Sequence, residues 1–167
     1  MLVFFGMPEP VSCSIGMVNP FNIFFFQFSH FDVLHLIENL LGLVFTAALA
    51  IELDMKHDDF ILASFAGVFI ALPLLFVFPG AAVAGNSTGI FGALAVSLLK
   101  ARKMVSVYLT FPLAALFIFS LTITSVMSGN FALSVLKADI FHFAGFLAGA
   151  AISISTRKNR IFSGCSL

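Results

Sequence analysis

The 167 residues of this chain are 60% hydrophobic and only 10% charged, whereas a soluble domain carries about 25% charged residues. A water-soluble core of this length cannot absorb so much apolar surface, so the composition favours one compact domain in a lipid bilayer. The formal net charge is zero, so the chain lacks the basic character that nucleic-acid binding requires.

Five apolar segments are long enough, or nearly so, to cross a membrane as helices, for which about 20 residues are needed. They cover residues 31–51, 60–78, 87–99, 104–127 and 140–156. The ten-residue alternation of a transmembrane β-barrel is absent. The predicted fold class is therefore all-α, a polytopic membrane helical bundle with five apparent transmembrane helices.

The membrane domain is expected to be preceded and followed in the sequence by a flanking segment. Residues 1–30 contain three prolines, which forbid one continuous helix, and we interpret them as an interfacial N-terminal loop. Residues 31–157 form the membrane domain, and residues 158–167 form a tail.

Basic residues predict the orientation of this bundle. Seven of the eight lysines and arginines follow the first, third or fifth segment, and these ends lie on one side of an alternating path. By the positive-inside rule that side is cytoplasmic, together with the C-terminus, in a multi-pass protein of the cell membrane. The remaining one, Lys137, lies in residues 130–139, which we expect to form an external loop.

The third segment is short, since about 13 residues span only about 20 Å as a helix. It follows a glycine-containing stretch, so a helix that starts at Ser87 would begin inside the membrane. Irregular backbone at that depth is tolerated only where it is buried in protein or lines a water-filled cavity.

Two residues in these segments suggest a reaction. Ser87 is a potential nucleophile and His142 a potential base, and an ionisable residue in a transmembrane segment is a functional-site hypothesis by default. Gly145 and Gly149 form a pair of small residues that would let the fifth helix approach a neighbour closely. If that neighbour is the third helix, His142 can reach Ser87.

Polar residues also cluster at the start of the first segment. His35 and Asn39 are four residues apart and share a helix face. Their donors would suit an oxyanion hole, or they would hydrogen-bond to neighbouring helices. A metal site is not favoured, because His30 and His35 are five apart and no HExxH motif occurs. We expect no cofactor.

At this point the chain resembles the rhomboid intramembrane serine proteases, from about residue 20 to residue 157. Residues 30–39 (HFDVLHLIEN) are similar to the family's H-x4-H-x3-N pattern, and Glu52 resembles its acidic residue near the end of the same helix. Residues 85–92 (GNSTGIFG) resemble G-x-S-G-x-I-F-G, with Thr88 where the family has glycine. Residues 142–149 (HFAGFLAG) are similar to H-x-x-G-x-x-x-G. The family core has six helices; the one not apparent here is the first, and residues 8–29 look like the loop that follows it.

The resemblance implies a mechanism and a substrate. Ser87 would be the nucleophile and His142 the general base, with no aspartate completing a triad. His35, Asn39 and the Ser87 backbone N–H would hold the oxyanion. The substrates would be transmembrane segments of other proteins.

The resemblance also assigns supporting residues. Phe91 stands where the family often has an aromatic side chain against the catalytic histidine, and the remaining supporting residues are His30, Gly85, Gly145 and Gly149.

Two other functions are compatible with parts of the sequence. A catalytically inactive rhomboid-like protein that binds transmembrane helices stays open as the alternative. A small transporter is less favoured, because the sequence has no internal repeat of the kind that transporters show.

Overall fold

The computed structural model describes residues 25–30, 33–78, 81–102, 106–129 and 133–163. A short 3₁₀ turn, Phe26–Phe28, comes first. The helices that follow are α1 (Val33–Glu52), α2 (His57–Phe69), α3 (Ala71–Val77), α4 (Ser87–Ala101), α5 (Val107–Ile118), α6 (Ser120–Met127) and α7 (Leu133–Ser163). Most of the predicted N-terminal segment, residues 1–24, lies outside the described residues.

The predicted all-α membrane bundle is confirmed. Among the described residues, three helical spans are long and apolar enough to cross a membrane: Val33–Glu52, His57–Val77 and Leu133–Thr156. Helix α4 is apolar but shorter, as the sequence predicted.

Two predicted segments are each divided into two helices. The second consists of α2 and α3, which meet at Ile70. Pro73 lies in the first turn of α3, and because proline has no N–H it cannot continue the hydrogen-bond ladder of α2. The fourth consists of α5 and α6, which meet at Phe119.

The predicted external loop over residues 130–139 is wrong, because α7 begins at Leu133. Lys137 and Asp139 therefore lie within the helix. Asp139 is fully buried, and its carboxylate accepts a hydrogen bond from the Thr122 backbone N–H.

Helix α4 lies at the centre of the bundle, and all of residues 88–97 are buried. It packs mainly on α7 and α2, and also on α1. A short helix that is apolar on all sides needs such an environment. The outer face of α1, in contrast, exposes large apolar side chains, among them Leu34, Leu40 and Val44, as expected for a surface that contacts lipid.

Glycines allow α4 and its neighbours to approach closely. A Cβ atom at Gly145 would collide with the Thr88 carbonyl, and one at Gly149 would collide with the Gly92 carbonyl. Helix α2 approaches α4 at the same point, because a Cβ atom at Gly67 would also collide with the Thr88 carbonyl. Backbone-to-backbone packing through small residues is a common way for membrane helices to associate.

Candidate active site

Ser87 is the first residue of α4 and follows an irregular stretch of backbone. This stretch is anchored by the Gly85 N–H, which donates to the carbonyl oxygen of buried Phe26 at 2.8 Å. Gly85 has a φ of 84°, a left-handed conformation that favours glycine. The Ser87 side chain is thus held at the head of a buried helix.

The structure brings Ser87 and His142 together. The distance between Ser87 Oγ and His142 Nε2 is 3.1 Å, although the residues lie 55 apart in the sequence. The close approach of Gly145 to Thr88 sets the relative position of α4 and α7 at this point. If the imidazole carries its proton on Nδ1, Nε2 can accept a hydrogen bond from the serine hydroxyl.

Phe91 stacks on the imidazole of His142. The ring centroids are 4.5 Å apart and the ring planes differ by 24°. Phe91 itself is buried, one turn along α4 from Ser87. The stacking restricts rotation of the imidazole about its Cβ–Cγ bond and keeps Nε2 directed towards the serine.

His30, His35 and Asn39 surround Gly85. A Cβ atom at Gly85 would lie 3.0 Å from Asn39 Nδ2, 3.1 Å from His35 Cε1 and 3.4 Å from His30 Cδ2. The absence of a side chain at Gly85 therefore lets three polar side chains contact the backbone two residues before Ser87. Asn39 is buried and donates one N–H to the His35 carbonyl oxygen at 2.9 Å.

The two histidine rings next to Gly85 contact each other edge to face, with centroids 5.3 Å apart. Burial, and then the proximity of His35, lower the pKa of His30 below its usual value. The lowered pKa favours the neutral form of His30, which packs against the ring of His35.

A cavity of about 870 Å³ contains the candidate residues in its lining: Ser87, His142, His35, Asn39 and Gly85. Its apolar walls come from five helices and include Leu41, Phe45, Phe91, Phe117, Leu121 and Phe141. Sites for organic ligands typically have this volume and this mixture of apolar walls and few polar groups. Two charged residues, Glu38 and Lys137, also line the cavity.

One residue of the site was missed from the sequence. The resemblance implied that no aspartate supports His142, but Asp139 Oδ1 lies 3.7 Å from His142 Nδ1. The signal was the i,i+3 spacing of the two residues, which places them on one helix face. The prediction of a loop over residues 130–139 excluded such a shared helix face.

Other predicted residues lie away from the serine or form no site. Glu52, at the end of α1, is exposed. Within the ranges that the structure describes, no three His, Cys, Asp or Glu side chains are grouped to hold a metal ion.

The fold and the cavity define a helical membrane protein with a serine and a histidine in contact. A sequence model of the Rhomboid domain matches residues 19–159, which is most of the chain. The chain therefore belongs to the rhomboid family, as its motifs predicted. No curated protein and no solved structure matches it.

Proposed function

We propose that the chain is an intramembrane serine protease that cleaves transmembrane segments of membrane proteins with a Ser87–His142 dyad. The observation that carries this proposal is the 3.1 Å separation of Ser87 Oγ and His142 Nε2 in the lining of a cavity. Nucleophile and base within hydrogen-bond reach are the diagnostic arrangement of covalent catalysis.

In the first step the Ser87 hydroxyl attacks the scissile carbonyl carbon while His142 Nε2 takes its proton. The tetrahedral intermediate places a negative charge on the former carbonyl oxygen. Collapse of the intermediate breaks the C–N bond, and His142 returns the proton to the leaving amine. A water molecule then attacks the ester in the same way, with His142 again as the base, and Ser87 is released.

The oxyanion would be held by Asn39, His35 and the Ser87 backbone N–H. Asn39 has two N–H groups and donates one to the His35 carbonyl, so its second remains for a ligand in the cavity that it lines. The Ser87 N–H belongs to the first turn of α4, whose N–H groups have no acceptor within the helix. Preorganised donors of this kind supply a large part of acyl-transfer catalysis.

The substrate class follows from the surroundings of the cavity. Its walls are apolar, and α1, which supplies Leu41 and Phe45, exposes a large apolar surface. A transmembrane helix could approach along such a surface in the bilayer, and a locally unwound stretch could enter the cavity. By the distribution of basic residues, Ser87 lies towards the outer side of the cell membrane and the C-terminus lies in the cytoplasm.

The test is cleavage of a transmembrane reporter by wild type, Ser87→Ala and His142→Ala. We expect both variants to lose cleavage. Ser97→Ala is the matched control, because Ser97 is a buried serine on the same helix that donates to the Ala93 carbonyl. His57→Ala controls for the histidine, since His57 is exposed at the start of α2. Normal cleavage by both dyad variants would refute the proposal.

The alternative, an inactive rhomboid-like protein that binds transmembrane helices, has one observation in its favour. Thr88 takes the position where the family has glycine, and its side chain is buried beside the nucleophile. If this β-branched residue distorts the oxyanion hole, a fluorophosphonate probe will not label Ser87 although substrate helices still co-purify. Labelling at Ser87 would eliminate this alternative.

A further inference from the structure

Asp139 is a buried carboxylate that the dyad mechanism does not use. Its side chain has no exposed surface, and it lies in α7 one turn before His142. A charged group inside a membrane-spanning helix is costly, and where one occurs it usually has a functional partner.

The two carboxylate oxygens face different partners. Oδ2 accepts a hydrogen bond of 2.8 Å from the Thr122 backbone N–H. Thr122 lies in the first turn of α6, where N–H groups lack intrahelical acceptors and the helix dipole favours a negative charge. This contact accounts for one oxygen of the carboxylate.

The second oxygen is directed at the imidazole. Oδ1 lies 3.7 Å from His142 Nδ1, and within the described part of the chain it has no hydrogen-bond partner. The separation is longer than a hydrogen bond, but catalytic contacts are often long before substrate binds and tighten in the complex. Nδ1 of the base thus faces a carboxylate while Nε2 faces the nucleophile.

This arrangement selects one tautomer. Neutral imidazole carries its proton on one nitrogen, and the hydrogen bond made by that nitrogen decides which one it is. A carboxylate beside Nδ1 favours the proton there, which leaves Nε2 with the lone pair that must accept the serine proton. The other tautomer could not act as the base at Ser87.

We propose that Asp139 is a positioning residue that completes a Ser87–His142–Asp139 triad. It holds His142 in the Nδ1–H tautomer and stabilises the imidazolium that forms when the Ser87 proton moves to Nε2. Asp139 stays ionised and takes up no proton. The inference rests on the proposed protease function for its kinetic consequence, but not for the tautomer, which is a property of the resting protein.

The informative variant is Asp139→Asn, because it keeps the shape of the side chain but has one acceptor oxygen instead of two. If that oxygen accepts from Thr122, the amide NH₂ group faces Nδ1 and favours the wrong tautomer. In a soluble serine protease the corresponding change lowers kcat about 10⁴-fold. Because the contact between Asp139 and His142 is longer, we expect a smaller effect: kcat on a transmembrane reporter should fall about 10- to 100-fold. This loss is a part of the roughly 10²–10⁴-fold rate acceleration that a positioned general base supplies. KM should stay within about twofold, because Asp139 makes no contact with substrate in this mechanism.

The matched control is Asp58→Asn, which makes the same chemical change at an exposed position in the first turn of α2. It should keep the wild-type kcat. Thermal unfolding separates a structural role from a positioning role. If Asp139 only ties α7 to α6, Asp139→Asn will unfold at a lower temperature while the tautomer and kcat remain those of wild type, and this result would overturn the proposal.

The direct readout is the ¹⁵N spectrum of histidine-labelled protein, with the His142 signals identified by their loss in His142→Ala. The proposal expects protonated Nδ1 and unprotonated Nε2 in wild type, and a shift of the proton towards Nε2 in Asp139→Asn. A wild-type proton on Nε2 would overturn it, whether or not any variant folds. If wild type proves inactive, the protease function fails, but the wild-type tautomer still decides whether Asp139 orients His142.

Discussion

Replacing Gly145 with alanine should separate the two catalytic residues without touching either of them. The new Cβ atom would lie 3.0 Å from the Thr88 carbonyl carbon and closer still to its oxygen, whereas ordinary contact begins at 3.4 Å. Because the obstacle is backbone, α7 has to retreat from α4 by about 1 Å to bring the carbonyl oxygen to ordinary contact, beside a Ser87–His142 contact of 3.1 Å. Overpacking of this kind costs about 1–3 kcal/mol, partly offset by the roughly 1 kcal/mol by which alanine favours a helix over glycine.

The assay is the rate at which a fluorophosphonate probe labels Ser87, measured together with thermal unfolding in detergent. We expect Gly145→Ala to label about 10- to 100-fold more slowly, since misplacement by about 1 Å can cost roughly 10²-fold. Gly42→Ala is the matched control, because its Cβ atom would lie 3.5 Å from the Ile90 side chain, which is ordinary contact. A wild-type rate for Gly145→Ala would show that close packing at Gly145 does not position the dyad.

Three further results are expected. Asn39→Ala should lower kcat about 10²-fold with little change in KM, as for other oxyanion donors; an unchanged kcat would exclude Asn39 from the oxyanion hole. Phe91→Leu removes the ring that stacks on His142, a contact of about 0.5–1.5 kcal/mol, and should slow probe labelling about 2- to 10-fold; labelling as fast as wild type would show that the ring does not hold the imidazole. Fluorescent-protein and alkaline-phosphatase fusions at the C-terminus report its side of the membrane, and we expect only the fluorescent fusion to be active, whereas an active phosphatase would reverse the orientation.

The helices that the sequence predicted well are those whose limits are set locally. The first segment, predicted over residues 31–51, is α1 over Val33–Glu52, because a predominantly apolar segment of this length must be helical in lipid. The start of α4 at Ser87 was also predictable, since the glycine-containing stretch before it marks the break. The division at Ile70 has a local signal in Pro73, which cannot continue a helical hydrogen-bond ladder.

The start of α7 was not predictable from hydropathy. Lys137 and Asp139 lowered the apparent apolarity of residues 133–139, although these residues are helical. What compensates the Asp139 charge is the Thr122 N–H from another helix. A hydropathy window that moves along the chain does not register a tertiary contact of this kind. Because the helix was predicted to start after Asp139, the i,i+3 pair of Asp139 and His142 was not predicted either.

The pairing of Ser87 with His142 could be inferred only in outline. The glycines at 145 and 149 indicated that α7 approaches a neighbour closely, but not which residues of α4 they would meet. The structure supplies this register, since Gly145 meets Thr88 and Gly149 meets Gly92. The grouping of His30, His35 and Asn39 around Gly85 likewise depends on how α1 packs beside the irregular backbone, which spacing alone does not give.

The central claim is that Ser87 is a nucleophile activated by His142. Its most direct test is the intact mass of the detergent-solubilised protein after exposure to a fluorophosphonate, with the adduct located by peptide mapping. Wild type should gain one adduct, on Ser87, while His142→Ala should react at least about 10²-fold more slowly, the lower bound for loss of a general base. Absence of an adduct on folded wild type, or equal rates for the two proteins, would contradict the claim.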